Sequence, residues 1–408
     1  AGASLAIYTD HDGTPGTEVS GTGFITATDD PLTAEDESIH ILTGVLTQGQ
    51  RYWLVETAAP EDYALAAPVS FTAGSDAQTV TVTMTDKALS LTIDKRDSDA
   101  RDESGTLTGE RVPNVTLTLT GPYALNGVTE DNHTWSWNTS DAESNPLTLT
   151  MADGLVPGGT YVLHEKTPNP SYQVAEDQTV VLPVNGGAVH VVMVDAAKAK
   201  LSVKVTKVFT AADGSALAQD DPLPASVTVN LYREGIENPV ASHTLTAVEN
   251  WTYTFTNLDA GYVYTVQEAA VPGFTLRQIT ADQDPTDNFA YTLTNAANEG
   301  RFSKRMLGES GAYEELSGAH LQLLTADGST VIAEWVSGEQ PHVVRGLLEP
   351  DTEYILKETA APEGYLVTSA FAFRLDAQLN PTLTQTTVNG GVDGGVVYMV
   401  DNATTVTV

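Results

Sequence analysis

Along this chain apolar residues recur at every second position in short runs, and the runs come in a repeating order. Four of them read aromatic, apolar, Glu, then Pro and a second aromatic. They are Tyr52-Trp53-Leu54-Val55-Glu56 with Pro60 and Tyr63, and Tyr161-Val162-Leu163-His164-Glu165 with Pro168 and Tyr172. The other two are Tyr264-Thr265-Val266-Gln267-Glu268 with Pro272 and Phe274, and Tyr354-Ile355-Leu356-Lys357-Glu358 with Pro362 and Tyr365. Each is followed by an alternating run that closes on an acid or amide: Val80, Val82, Met84, Asp86; Val189, Val191, Met193, Asp195; Phe289, Tyr291, Leu293, Asn295; and Val397, Met399, Asp401. Ahead of three of the glutamate runs lies another that closes on lysine: Leu89, Leu91, Ile93, Lys95; Leu201, Val203, Val205, Lys207; and, more weakly, Phe302, Lys304.

Period-two runs separated by turn pairs such as Asp213-Gly214, Asp327-Gly328 and Pro157-Gly158, with no helical periodicity, predict strands of β-sandwiches. The four glutamates lie roughly 90 to 110 residues apart, which sets the size of the repeating unit. The expected architecture is therefore all-β, a tandem array of four immunoglobulin-like sandwich domains over 1–86, 87–196, 197–297 and 298–408. The first lacks a lysine-bearing opening strand, and the second carries a polar inserted loop near 121–146. The joints are only a few residues long, as in Asp86-Lys87-Ala88-Leu89, which predicts a stiff rod.

Parity gives the runs their chemistry. Residues i, i+2 and i+4 of a strand share a face. Lys95 falls in the row of Leu89, Leu91 and Ile93; Glu165 in that of Tyr161 and Leu163; Asp195 in that of Val189, Val191 and Met193. The same holds in the third and fourth repeats. An ammonium and two carboxyls on apolar faces cost several kcal/mol per ion unless paired or neutralised. A lone trio reads as a buried salt bridge, whereas its recurrence in three repeats points to chemistry. Burial favours the neutral amine, a nucleophile, and the neutral acid, whose carbonyl it can attack. A buried Glu between them can move the protons. An Asp acceptor would lose water and an Asn acceptor ammonia, once per domain and without turnover, so the chain is not expected to be an enzyme.

Composition narrows the setting. The 408 residues are 41% hydrophobic, enough for several cores, and carry 54 acidic against 19 basic residues, a net charge of −35. Nucleic acids and anionic membranes need basic surface and are not expected partners. Cysteine is absent, as suits an extracellular protein that avoids pairing, and there are nine lysines. No apolar run approaches the roughly 18 residues that span a bilayer. The sequence shows neither a signal peptide nor a sorting signal, so a secreted parent would make it an interior segment.

With these motifs in place, residues 298–408 resemble the Cna B-type (SpaA-like, prealbumin-like) domains of Gram-positive adhesins and pilins, including the domain behind the SpyTag–SpyCatcher pair. Phe302-Ser303-Lys304-Arg305, Val331 to Trp335, Glu358-Thr359-Ala360-Ala361-Pro362-Glu363-Gly364-Tyr365 and Tyr398-Met399-Val400-Asp401 follow that pattern in order. The run from Val191 to Lys198 is similar to the tag peptide. Val205-Thr206-Lys207-Val208 with Glu268 to Phe274 resembles the asparagine-accepting branch. The resemblance covers essentially the whole chain. It implies isopeptide bonds with Lys95, Lys207 and Lys304 as nucleophiles, Glu165, Glu268 and Glu358 as proton shuttles, and Asp195, Asn295 and Asp401 as acceptors. Departures are the Lys166 to Tyr172 segment, where the family has Pro-x-Gly-Tyr, and Asn402 beside Asp401, where phase favours Asp401. Residues 1–86 hold Glu56 and Asp86 but no lysine, an incomplete site.

Other features point elsewhere only weakly. The five tryptophans are expected to pack, Trp251 and Trp335 from strand-like runs, with Trp135 and Trp137 in the 121–146 insertion as a candidate recognition surface. Asp10-His11-Asp12-Gly13 reads as a hairpin turn rather than a calcium loop, and the eight histidines show no zinc spacing. No cofactor or metal is expected. The expected role is a stalk or pilus-shaft segment, extracellular and anchored at the cell surface or wall, touching neighbouring domains or subunits. An adhesin binding a host glycan or protein, or a spacer in a secreted multidomain enzyme, stays open. Thr404, Val406 and Val408 continue past Asp401 in the phase of a further strand. Residues 1–86 would then be completed by a lysine-bearing strand from outside them, the alternative being an arbitrary cut.

Overall fold

The computed structural model describes residues 1–27, 39–74, 79–140, 145–283 and 288–403. Thr404, Val406 and Val408 lie outside the described residues. The chain is all-β and forms two compact units, Ala1–Ala199 and Lys200–Val408. Among the described residues its only helical turns are the 3-10 turns Met151–Asp153 and Ala247–Glu249.

In the first unit, strand Ser4–His11 pairs with Thr14–Glu18, Phe24–Ile25 and Arg51–Ala58, and the last of these pairs with Val69–Thr72. Asp12 and Gly13, both left-handed, make the two-residue turn after His11, as the sequence predicts. A second set of strands forms two facing sheets. One holds Leu147–Thr150, Lys87–Arg96 and Gly187–Val194; the other holds Gln178–Val181, Thr160–Thr167, Thr116–Leu125 and Val128–Asn138. Between them Leu89, Leu91 and Ile93 meet Leu117, Leu119, Tyr161, Leu163 and Met193, all buried. The alternation that marked these runs is thus the inward row of each strand.

The second unit repeats this plan twice. Leu201–Thr210 lies between Thr252–Leu258 and Asn288–Ala297, facing a sheet of Ala241–Leu245, Val227–Arg233 and Tyr264–Glu268. Glu299–Leu307 pairs with Tyr313–Glu315, His342–Arg345 and Val396–Asp401, facing the sheet centred on His320–Thr325 and Glu353–Ala360. Each pair of sheets encloses its own apolar cluster.

One pairing is common to these three sandwiches: the opening and closing strands lie side by side and parallel. Met193 stands opposite Lys95, Leu293 opposite Lys207, and Met399 opposite Lys304. Asp195, Asn295 and Asp401 come two residues later, on the same face as those partners. Parallel neighbours need a long crossover, and the rest of each sandwich supplies it.

The structure corrects the sequence reading at three places. The alternating run Val80 to Asp86 forms no strand, because among the described residues of 1–86 none occupies the place of a parallel opening strand. Val82 and Met84 still pack against Leu5, Ile7, Tyr52 and Leu54. The insertion after Gly121 is largely strand rather than loop: Thr116–Leu125 and Val128–Asn138 join through Asn126 and Gly127, both left-handed, as a tight hairpin requires. Trp251 sits at a left-handed turn residue just before strand Thr252–Leu258, not within a strand, and its ring meets Phe209 edge-on at 4.9 Å.

Candidate functional site

Each sandwich brings its lysine, glutamate and acid or amide together from three strands: the opening one, the glutamate strand of the facing sheet and the closing one. Lys95, Glu165 and Asp195 are all buried. Lys95 Nζ donates to Glu165 Oε2 at 3.1 Å and to Asp195 Oδ1. The Ala175 N–H donates to the same Glu165 oxygen at 2.8 Å, while Glu165 Oε1 and Asp195 Oδ2 have no hydrogen-bond partner among the described residues. Burial raises the Asp195 carboxyl to about 6; contact with Lys95 opposes the rise and the Glu165 charge adds to it. Much of this acid is therefore neutral in mild acid.

In the third site, that of residues 197–297, Glu268 bridges the other two groups. Lys207 Nζ lies 2.8 Å from Glu268 Oε2, and Asn295 Nδ2 donates to Glu268 Oε1 at 2.6 Å. One carboxylate thus touches both the candidate nucleophile nitrogen and the nitrogen that would leave. Lys207 also approaches the Leu293 carbonyl at 3.4 Å. Burial lowers its pKa against the opposing pull of Glu268 and so favours the free amine.

The fourth site has the layout of the second. Lys304 Nζ lies 2.9 Å from Glu358 Oε2 and donates to Asp401 Oδ1, with all three residues buried. The Thr368 N–H donates to Glu358 Oε2 at 2.6 Å. Burial raises the Glu358 pKa, opposed by the Thr368 N–H and by Lys304. Asn402 is exposed, so the residue at Lys304 is Asp401.

Among the described residues the first site holds two carboxyls and no cation. Glu56 is buried and accepts the Ala66 N–H at 2.5 Å, and half-buried Asp86 lies close enough for its charge to be felt. Burial is the main cause that raises its pKa, and the nearby Asp86 charge adds to it.

Two contacts were not foreseen. Asn145 is buried and clamps the lysine strand, accepting from Lys95 N at 2.9 Å and donating to Lys95 O at 3.1 Å. Thr368 Oγ1 lies 2.6 Å from Asp401 Oδ1 and 2.8 Å from Val400 O. Neither residue belongs to an alternating run. The tryptophans of the insertion, Trp135 and Trp137, pack on the core of their sandwich, and the Trp53 indole donates to Asp10 at 2.7 Å.

Residues 203–296 match the family described as Cna protein B-type domain, and residues 309–389 match the prealbumin-like fold domain family. Both matches fall within the second unit. The Cna B-type match contains Lys207, Glu268 and Asn295. The prealbumin-like match contains Glu358 and is flanked by Lys304 and Asp401. Among solved structures, the chain is similar to the pilus adhesin SpaC from Lactobacillus rhamnosus GG, at 16% identity over 72% of this chain and 42% of that one, with a TM-score of 0.36. It thus spans less than half the length of that adhesin. It is also similar to the major pilin SpaD from Corynebacterium diphtheriae (13% identity, 78% and 97% covered, TM-score 0.28). A third is the pair of B repeat units of the collagen binding protein of Staphylococcus aureus (16% identity, 99% and 94% covered, TM-score 0.22). No curated protein matches the sequence.

Proposed function

We propose that this chain is a load-bearing stalk or pilus-shaft segment of a Gram-positive surface protein, made of four domains over 1–86, 87–196, 197–297 and 298–408. Three of the domains close an internal isopeptide bond. The observation that carries this reading is the recurrence of one buried arrangement, lysine on the opening strand and acceptor on the parallel closing strand, at the same register in three sandwiches. A structural ion pair would need no fixed register from one domain to the next.

The reaction follows from the contacts. The neutral lysine Nζ attacks the side-chain carbonyl carbon of Asp195, Asn295 or Asp401. A C–N bond forms, one amine proton passes to the glutamate, and the glutamate returns a proton to the leaving group. The C–O bond of Asp195 or Asp401 breaks and water leaves; the C–N bond of Asn295 breaks and ammonia leaves. The product amide is uncharged, which removes the cost of keeping ions in an apolar core. By analogy with a disulfide closing a loop of about 100 residues, each bond adds about 4–5 kcal/mol.

The setting is extracellular, at the cell surface, with neighbouring domains or fibre subunits as partners. Chemistry with turnover has no place in this reading, because each site consumes its own nucleophile. Intact-mass measurement of the denatured chain tests it. The expected mass is that of the sequence less two waters and one ammonia, and an unchanged mass would end the proposal.

A further inference from the structure

In three of the four sites the backbone N–H ten residues past the glutamate holds that glutamate: Ala66 for Glu56, Ala175 for Glu165 and Thr368 for Glu358. In the third site the same offset falls at Gln278, within strand Phe274–Gln283 and opposite Thr294. Of the three residues whose N–H does this, two are alanines. Only Thr368 adds a hydroxyl, and that hydroxyl reaches the acceptor, 2.6 Å from Asp401 Oδ1.

A hydroxyl has one proton to donate and lone pairs to accept with. The Val400 carbonyl, 2.8 Å from Thr368 Oγ1, can only accept. When the hydroxyl donates to Val400 O, a lone pair faces Asp401 Oδ1 and accepts a proton carried there. The chain from Asp401 O–H to Thr368 O–H to Val400 O is then complete, and it exists only for the protonated acid. That is the form the amine must attack, since a carboxylate anion is a poor electrophile. Thr368 is buried, so no water substitutes readily for its hydroxyl.

We propose that Thr368 is a positioning residue for isopeptide formation in residues 298–408. Its backbone N–H anchors the shuttle Glu358, while its hydroxyl holds Asp401 in the neutral form and in reach of Lys304. This rests on the isopeptide reading above. The bond balance is unchanged: Lys304 Nζ joins Asp401 Cγ, the C–O bond of the acid breaks, and water leaves with the proton relayed by Glu358. Residues 87–196, with Ala175 at the same place, close their bond without this help.

The test uses the full chain made by cell-free synthesis, chased at a series of pH values and quenched in denaturant. The linked tryptic peptides of residues 87–196 and 298–408 are counted separately. Thr368→Val keeps the backbone N–H and removes the hydroxyl. It is expected to slow linkage of Lys304 to Asp401 about tenfold and to move the alkaline limb of its pH profile to lower pH. Thr368→Ser is expected to restore both, and linkage of Lys95 to Asp195 in the same molecules serves as the internal standard. A merely disturbed fold would slow the reaction without moving the profile. An unshifted profile, or linkage of the Val variant at the wild-type rate, therefore overturns the proposal. A wild-type chain that never links Lys304 to Asp401 would instead defeat the isopeptide reading itself.

Discussion

Lys95 and Lys304 are among the largest side chains fully buried in this chain, each set in a row of apolar neighbours. Their positions were legible because strand parity is rigid: residues two places beyond the buried Ile93 and Phe302 face the same side as they do. Glu358 follows from the same rule, and its proposed duty can be tested alone. Glu358→Gln nearly keeps the volume and the hydrogen bond to the Thr368 N–H but cannot accept and return a proton. Residues 298–408 should fold, and the tryptic peptides holding Lys304 and Asp401 should appear separately; a linked pair at wild-type yield would remove Glu358 from the mechanism. The unlinked domain should lose about 4–5 kcal/mol of stability. Asn145 and Thr368 were not legible for an equally physical reason. Both act from irregular segments, where no period says which way a side chain points. The ten-residue offset from glutamate to its anchor is present in the sequence, yet it places a backbone N–H, which every residue but proline has.

At the scale of elements, alternation proves to be a statement about capacity. Gly187–Val194 and the run Val80 to Asp86 carry the same pattern, but only the first has a parallel neighbour and only the first is a strand. A ladder needs two sides. The half-formed site at Glu56 and Asp86 matches this: of two neighbouring carboxyls, Asp86 raises the cost of ionising Glu56, where the second and fourth sites hold a lysine between them. A peptide with the sequence of residues 88–97, offered to the chain, is expected to add beside Val80 to Asp86 and bond covalently through its lysine to Asp86. Replacing that lysine with arginine should abolish capture, as should Asp86→Ala. No capture, combined with protease resistance of residues 1–86, would show that this region needs no added strand. The hairpin built on Asn126 and Gly127 makes the complementary point. Composition alone read it as a polar loop, whereas the Asn-Gly turn and the half-buried row His133, Trp135 and Trp137 mark it as paired strand.

For the whole molecule, the question is how a pull on the ends is carried. In the second unit the last strand of one sandwich passes into the first of the next through Asn298, which is buried with its polar groups engaged. Its N–H donates to Gly273 O at 2.8 Å, its Nδ2 donates to Leu348 O at 2.7 Å, its O accepts from Gly346 N at 3.0 Å, and its Oδ1 accepts from Thr275 Oγ1 at 2.7 Å. Arg345 reinforces the joint through Glu299 at 2.9 Å. Under single-molecule stretching, an unlinked sandwich of about 100 residues would release about 330–360 Å of chain when it opens. The wild-type chain should show no such step from residues 87–408. Lys95→Met, Lys207→Met and Lys304→Met should each restore one. Steps of that length in the wild type would mean that the buried groups are not joined.

The side-by-side course of opening and closing strands has a further consequence. Once lysine and acceptor are joined, tension enters along the opening strand, crosses a single amide and leaves through the residues that follow the acceptor at the end of the closing strand. Everything between them hangs from the line of tension as a side branch. Such a branch can be lengthened, redecorated or cut without changing how far the tether reaches or how much it bears. The hairpin Thr116–Leu125 and Val128–Asn138 is one such branch. Cargo grafted at its Asn126–Gly127 tip would travel with the chain while staying mechanically idle.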